Sequence, residues 1–228
     1  MKLAKPHLDV GLFTNRRDEQ LAFWQSDVGL EFDHIGKLGG GVHQLRHHVN
    51  GSILKINHAR DPLPSDIPPA GWRTLLIARE GISEPRALVD PDGNEVTLVP
   101  PGYAGITGIG LKVVASDPGA SARFYERVFG AAPVDEHACC IGDSVLQFVG
   151  LNPGEAGARP EYKAVGLRYI TVQIFDCDAE HARMLALGAE EGQPARTIGT
   201  TTRYSFVRDL GGNWIEVSQR FELTEASQ

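Results

Sequence analysis

Residues 204–219 read YSFVRDLGGNWIEVSQ, and the fold turns on them. Apolar and polar residues alternate at both ends, the period of a half-buried strand. Between the ends, Asp209, Gly211, Gly212 and Asn213 supply the turn chemistry of a hairpin. On the return strand Trp214, Glu216 and Ser218 share one face, and Ile215 and Val217 share the other. With Ile215 and Val217 in a packed core, Glu216 points from mid-strand to the far side of the sheet. A carboxylate there costs strand propensity. It fits either a solvated face or a ligand or base in a cavity.

The turn has a counterpart upstream, where DPDGNEVTLV (90–99) stands against DLGGNWIEV (209–217). Other segments repeat in the same order. NGSILKIN (50–57) matches GDSVLQFV (142–149), and GWRTLLIA (71–78) matches GLRYITVQ (166–173). The strand HLDVGLFT (7–14) and helix DEQLAFWQSDVG (18–29) match TGIGLKVVASDPGASARFYERVFG (107–130), with Gly11 on Gly110 and Phe23 on Phe124. The chain is therefore read as duplicated. The offset between copies grows from 95 (Gly71 to Gly166) to 119 (Asn94 to Asn213). The gain falls on the helix at 178–188 and its following connection. The N-terminal half has only EGISEPRA (80–87) in that place.

These segments resemble the βαβββ modules of the vicinal oxygen chelate superfamily, which includes glyoxalase I, bleomycin-resistance proteins and extradiol dioxygenases. The resemblance covers residues 7–220. It implies an α+β fold of four tandem modules paired into two domains. Each domain would be a curved mixed sheet with a cavity on the concave side and helices on the convex side. We expect pairing within each half. Residues 1–100 would form an N-terminal domain whose second module lacks its helix, and residues 101–228 a C-terminal domain. PPGYAGI (100–106) links the halves, because Pro and Gly stop the strand at Val99. Residues 60–71 and 151–162 would join modules within the halves, and the tail after Phe221 is expected to fray.

The resemblance also implies positions for a divalent ion such as iron, manganese, nickel, magnesium or zinc. They lie on the first strand of a module, usually His or Gln, and on its last strand, usually Glu. In the C-terminal half these positions hold Gly108, Tyr169, Gln147 and Glu216. In the N-terminal half they hold Asp9, Lys55, Thr74 and Thr97. Glu216 is the one acid with the family's character, and Lys55 repels a cation. We therefore expect no tightly bound metal, with Glu216 as the ligand if there is one and His7 as an unaligned candidate.

Residues 41–58, GVHQLRHHVNGSILKINH, contain the strong two-residue turn signal Asn50-Gly51. That turn places Val49 opposite Ser52, His48 opposite Ile53, Arg46 opposite Lys55 and Gln44 opposite Asn57. Leu45, Leu54 and Ile56 then face the core. Arg46, His48 and Lys55 would line a cavity suited to a carboxylate, phenolate or phosphate. The alternatives are a solvated face or charges paired across a buried one. His43, His47 and His58 read as structural.

With 22 Lys and Arg against 29 Asp and Glu, the net charge of −7 disfavours nucleic acid as a partner. No apolar run approaches the ~20 residues that span a bilayer. The N-terminus has no apolar signal core, so a cytoplasmic location is expected. A homodimer is left open. The three cysteines have no zinc or disulfide spacing, and Cys139 and Cys140 read as strand packing.

Three functions remain. One is an enzyme on a small oxygenated, aromatic or enolisable and anionic substrate: a glyoxalase-like lyase or dioxygenase-like oxidoreductase with a degraded or absent metal site, or a metal-free lyase or isomerase. Another is a metal-free small-molecule binding protein of the bleomycin-resistance type. The last is a domain with a vestigial pocket. For the first, Glu216 is the candidate base and Tyr169 the polarising donor. Gln147 and Trp214 are expected in the same C-terminal cavity, apart from the basic N-terminal one.

Overall fold

Period-two alternation puts most of this chain into strands, and three stretches with helical periodicity lie between them. The computed structural model describes residues 1–64, 66–154 and 159–225. The first module is β1 (Asp9–Thr14), α1 (Arg17–Ala22) running on as a π-helical turn over Phe23–Asp27, β2 (Glu31–Gly39), β3 (Val42–Val49) and β4 (Ser52–Ala59). The second is β5 (Trp72–Ala78), β6 (Arg86–Val89) and β7 (Glu95–Val99), with no helix among its described residues. The third is β8 (Ile109–Ala115), α2 (Pro118–Phe129), β9 (Ala132–Asp135), β10 (Ala138–Ile141) and β11 (Ser144–Gly150). The fourth is β12 (Gly166–Gln173), α3 (Cys177–Ala186), β13 (Glu190–Ile198), β14 (Thr202–Arg208) and β15 (Trp214–Arg220). The missing second helix accounts for the jump in repeat offset. The tail does not fray directly after Phe221 but forms α4 (Phe221–Glu225). Residue 65, residues 155–158 and residues 226–228, parts of two expected linkers and of the tail, lie outside the described residues.

The two Asp–Asn turns are tied alike. Asp209 accepts hydrogen bonds from the backbone and side-chain amides of Asn213 at 2.8 and 2.9 Å, and Asp90 does the same for Asn94 at 2.8 and 2.7 Å. Each Asn also reaches another module. Asn213 Oδ1 accepts from the Gly71 N–H at 2.7 Å, and Asn94 Oδ1 from the Leu167 N–H at 2.8 Å.

The modules do not pair with their neighbours in the chain. One sheet has the order β13-β14-β15-β12-β1-β4-β3-β2 and joins the first module to the fourth. The other, β6-β7-β5-β8-β11-β10-β9, joins the second to the third. The sheets therefore do not follow the expected division at residue 100. The physical reason is that alternation fixes which face of a strand is buried but not which strand it meets. Both halves carry the same pattern, so either pairing satisfies it. β1 runs antiparallel to β12 with Gly11 opposite Tyr169, and parallel to β4 with Gly11 opposite Lys55.

A continuous apolar core joins both sheets and the helices, with Trp24, Phe124, Tyr125, Leu54, Ile170 and Ile215 all at most 1% exposed. Burying side chains of this size contributes about 1.5–3 kcal/mol each. The repeated glycines have a shared cause. A Cβ on Gly11 would lie 2.1 Å from the Tyr169 ring, and one on Gly110 would lie 2.7 Å from Ile106. In the seven-stranded sheet that space lets Ile106, from the inter-half linker, pack with Leu76, Val99 and Val145. In the eight-stranded sheet it admits the ring of Tyr169.

Candidate functional site

The β3–β4 hairpin forms in the expected register: Val49 opposite Ser52, Arg46 opposite Lys55 and Gln44 opposite Asn57. Asn50 and Gly51 adopt φ of 49° and 86°, the positive values that this turn requires. Because the first module pairs with the fourth, Lys55 and Glu216 meet on one concave face.

Lys55 Nζ donates to Glu216 Oε2 and to Thr171 Oγ1, both at 2.7 Å. The Thr171 hydroxyl in turn donates to Glu216 Oε2 at 2.7 Å. The pair is largely desolvated, with side-chain exposures of 5% for Lys55 and 14% for Glu216. Behind it lies Asp9, which accepts from Lys5 Nζ at 2.7 Å, from the Ile53 N–H at 2.9 Å and from Gln173 Nε2 at 3.2 Å. Asn57 Nδ2 donates to the Tyr169 hydroxyl at 3.1 Å, and the Lys55 ammonium stands 5.6 Å from the Tyr169 ring centre.

Burial and charge set the protonation of this cluster. Burial pushes the Lys55 ammonium below its ordinary pKa, while Glu216 and Asp9 pull it back up. Burial would raise Asp9, but the Lys55 and Lys5 ammonium groups outweigh it and hold the carboxyl below its usual value. Burial first, and the Glu216 charge second, push the Tyr169 phenol well up. Tyr169 thus remains a protonated donor.

The cluster forms the floor of a cavity of about 440 Å³. Phe13, Tyr162, Tyr204 and Phe206 join Tyr169 as its aromatic lining. Lys37, Arg46, Lys163, Arg196 and Arg220 line it as well, the Arg196 guanidinium lying 4.9 Å over the Tyr204 ring, and among the described lining residues Glu216 is the sole acid. Arg46 is 7% exposed, and its Nη1 donates to Gln44 Oε1 at 3.0 Å. Its Nε is buried without a hydrogen-bond partner among the described residues, the Asp33 carboxylate lying 3.7 Å away. Burial and then the Arg220 charge depress the Arg46 pKa. Like charges crowded in a low-dielectric recess favour an anion between them.

Of the residues expected from sequence, Glu216, Tyr169, Arg46 and Lys55 converge here, in one cavity rather than two. Gln147 does not. It sits on β11 opposite Lys112 in the other sheet, because the third module pairs with the second. Trp214 shares the face of Glu216 but does not line the cavity. Its ring packs 5.2 Å from Tyr162 and 5.8 Å from Phe206, and its indole N–H donates to the Pro160 carbonyl, so it backs the aromatic lining. His48 lies near the strand end, 54% exposed, with Asp33 3.9 Å away. Thr171, Arg196, Arg220 and Tyr162 were not singled out from sequence. Thr171 was within reach of the alternation rule, two residues from Tyr169 on the same face. So was Arg220, four residues from Glu216 on β15, whereas Arg196 and Tyr162 come from β13 and a loop and carry no local signal.

A divalent ion does not fit this donor set. The positions that the resemblance assigns to ligands bring Asp9, Lys55, Tyr169 and Glu216 together, and an ammonium stands among them. No cluster of three or more His, Cys, Asp and Glu side chains able to hold a metal occurs among the described residues. His7 pairs with Asp143 at 2.5 Å, away from this floor. No helix among the described residues is long and apolar enough to cross a membrane.

The observations define a class: an α+β protein of paired modules whose eight-stranded sheet curls around a ligand cavity. Residues 109–217 match the model of the Glyoxalase/Bleomycin resistance protein/Dioxygenase superfamily. Glyoxalase I from Zea mays has the same fold at a TM-score of 0.72 and 12% identity, over 96% of this chain and 95% of that one. A putative dioxygenase from Bacillus subtilis aligns at 0.66 and 14% identity, over 96% and 86%. The cppA protein of Streptococcus pneumoniae aligns at 0.56 and 10% identity, over 93% and 97%. No curated protein sequence matches. The family match thus covers the C-terminal half, and the whole chain shares the fold of these structures.

Proposed function

We propose that the chain binds and transforms a small oxygenated anion, aromatic or enolisable, by proton transfer that uses no divalent metal. The observation that carries this reading is the Lys55–Glu216 pair, set with Tyr169 in a cavity lined by both cationic and aromatic side chains. The cationic side chains suit a carboxylate or phenolate. The aromatic ones suit a planar ring, worth about 0.5–1.5 kcal/mol beyond area burial.

The chemistry follows from the positions. Glu216 takes a proton from carbon beside a carbonyl, and the carbonyl oxygen gains the charge. The Tyr169 hydroxyl, already accepting from Asn57, keeps its own proton to donate to that oxygen. The Lys55 ammonium lies close enough to share the stabilisation. Return of the proton to a different carbon gives an isomerase, and expulsion of a β-substituent gives a lyase. Neither needs an oxidant. Both halves of the cavity come from one chain, so the site needs no second copy.

The test is a panel of aromatic and enolisable carboxylates screened by thermal shift, followed by proton NMR of the hits in D₂O. Wild type should exchange the α-proton of a true ligand. Glu216→Gln should slow exchange at least about a hundredfold while leaving affinity within roughly tenfold. Binding without exchange in wild type would instead support the sequestering role.

A further inference from the structure

We infer that the Lys55 ammonium is a tethered cation standing where the two halves of the sheet would otherwise enclose a divalent ion, and that a single substitution at position 55 opens a metal site. The argument is independent of what ligand the cavity takes.

The strand registers carry it. Lys55 lies opposite Gly11 in the parallel β4–β1 pair, and Glu216 opposite Thr171 in the parallel β15–β12 pair. β1 and β12 run antiparallel, with Asp9 opposite Thr171 and Gly11 opposite Tyr169. A local two-fold therefore carries Lys55 onto Glu216 and Asp9 onto Tyr169. Lys55 and Glu216 are in contact at 2.7 Å, and Asp9 and Tyr169 stand around them, so three of the four side chains end in oxygen. Thr171 adds a fourth oxygen, 2.7 Å from Nζ.

Oxygen donors of this kind suit hard divalent cations. What excludes one is the ammonium itself, which is 5% exposed and in contact with Glu216. Two positive charges at contact distance in so dry a place repel strongly. Asp9 Oδ1 accepts from Lys5 Nζ and the Ile53 N–H, while its Oδ2 accepts from the neutral Gln173 amide. Lys55→Glu would set a third carboxylate opposite Glu216, and the three would then repel one another unless a cation joined them.

The experiment uses the full chain stripped with EDTA and Mn²⁺ alone as the probe, in titration calorimetry and thermal shift. Wild type should show no saturable one-to-one binding. Lys55→Glu should bind one Mn²⁺ per chain at least about a hundredfold more tightly than wild type, with a melting temperature that rises with Mn²⁺. Adding Glu216→Gln to that variant should abolish both effects. Lys55→Gln is neutral and similar in length, so it covers the case in which Lys55→Glu does not fold. It should bind at least about tenfold more tightly than wild type. The inference is overturned if wild type binds Mn²⁺ one-to-one and loses it in Glu216→Gln. It is overturned equally if folded Lys55→Glu, or Lys55→Gln where the former is unfolded, binds no better than wild type, or if Lys55→Glu/Glu216→Gln still binds.

Discussion

Replacing Glu216 with Ala tests the centre of the site through stability, without any knowledge of the ligand. The substitution strips the carboxylate from an ammonium that is 5% exposed and removes the acceptor of the Thr171 hydroxyl. Breaking a buried pair by removing one partner typically costs about 3–5 kcal/mol. Glu216 is itself 14% exposed, and Asp9 still faces Lys55, so the lower end applies, near 3 kcal/mol. In a chain of this size that corresponds to a fall in Tm of roughly 6–12 °C. Removing both partners, Lys55→Met with Glu216→Leu, leaves no orphaned charge. The double variant should therefore cost at least about 2 kcal/mol less than the sum of the singles. The assay is urea unfolding followed by far-UV circular dichroism and by tryptophan fluorescence. Trp214 reports on the eight-stranded sheet and Trp72 on the seven-stranded one. Coincident transitions license the two-state treatment. A cost below about 1 kcal/mol for Glu216→Ala, or singles that add to within about 0.5 kcal/mol, would refute the coupling that the geometry describes.

Gly11→Ala puts a methyl 2.1 Å from the Tyr169 ring. It should cost about 1–3 kcal/mol by overpacking and displace the phenol, weakening any ligand that Tyr169 holds, as read by urea midpoint and by titration. Acid stability should depend on Asp9, whose folded pKa is lowered by Lys55 and Lys5 against burial. A lowered folded pKa means that its contribution is present above the unfolded value of ~3.9 and is lost as the pH falls through the folded one. Urea midpoints measured across the acid range should therefore fall below about pH 4 in wild type and flatten there in Asp9→Asn. Burial pushes the Cys139 thiol up to about 12 and the Cys177 thiol up to about 11, and both side chains are fully buried. A thiol-reactive reagent at mildly alkaline pH should label only Cys140 in the native protein and all three cysteines in denaturant.

The register of β3 and β4 was legible because two local rules act together. Asn50-Gly51 fixes the turn, and the period of two then fixes every partner down to Gln44 and Asn57. The Asp–Asn turns were legible for a similar reason, since Asp209 and Asn213 satisfy each other within five residues. Which first strands meet was not legible. β1 could lie against β5 or β12 without changing one buried face, and the choice rests on contacts far apart in sequence, such as Asn94 with Leu167 and Asn213 with Gly71. Gln147 was placed with Glu216 by that missing information alone.

The pairing also changes what Lys55 means. Read within its own half, it is a defect in a ligand set, a positive charge where an acid is expected. Across the β1–β12 junction it is the counter-ion of Glu216, held at 2.7 Å and screened from water. A lysine alone at that depth would be strongly destabilising, and so would the carboxylate. Asp9 of its own module offsets part of the Lys55 charge, and the other module supplies the partner in contact with it. The first and fourth modules are thus held in register by charge as well as by strand pairing. A one-residue slip of β4 would turn Lys55 to the core face and leave Glu216 buried alone. The residues proposed for chemistry are then among those that favour the swapped pairing over pairing within each half. For that reason an attempt to express residues 1–100 alone should yield a sheet whose Lys55 keeps Asp9 nearby but has lost its contact with Glu216, and with it a reason to fold.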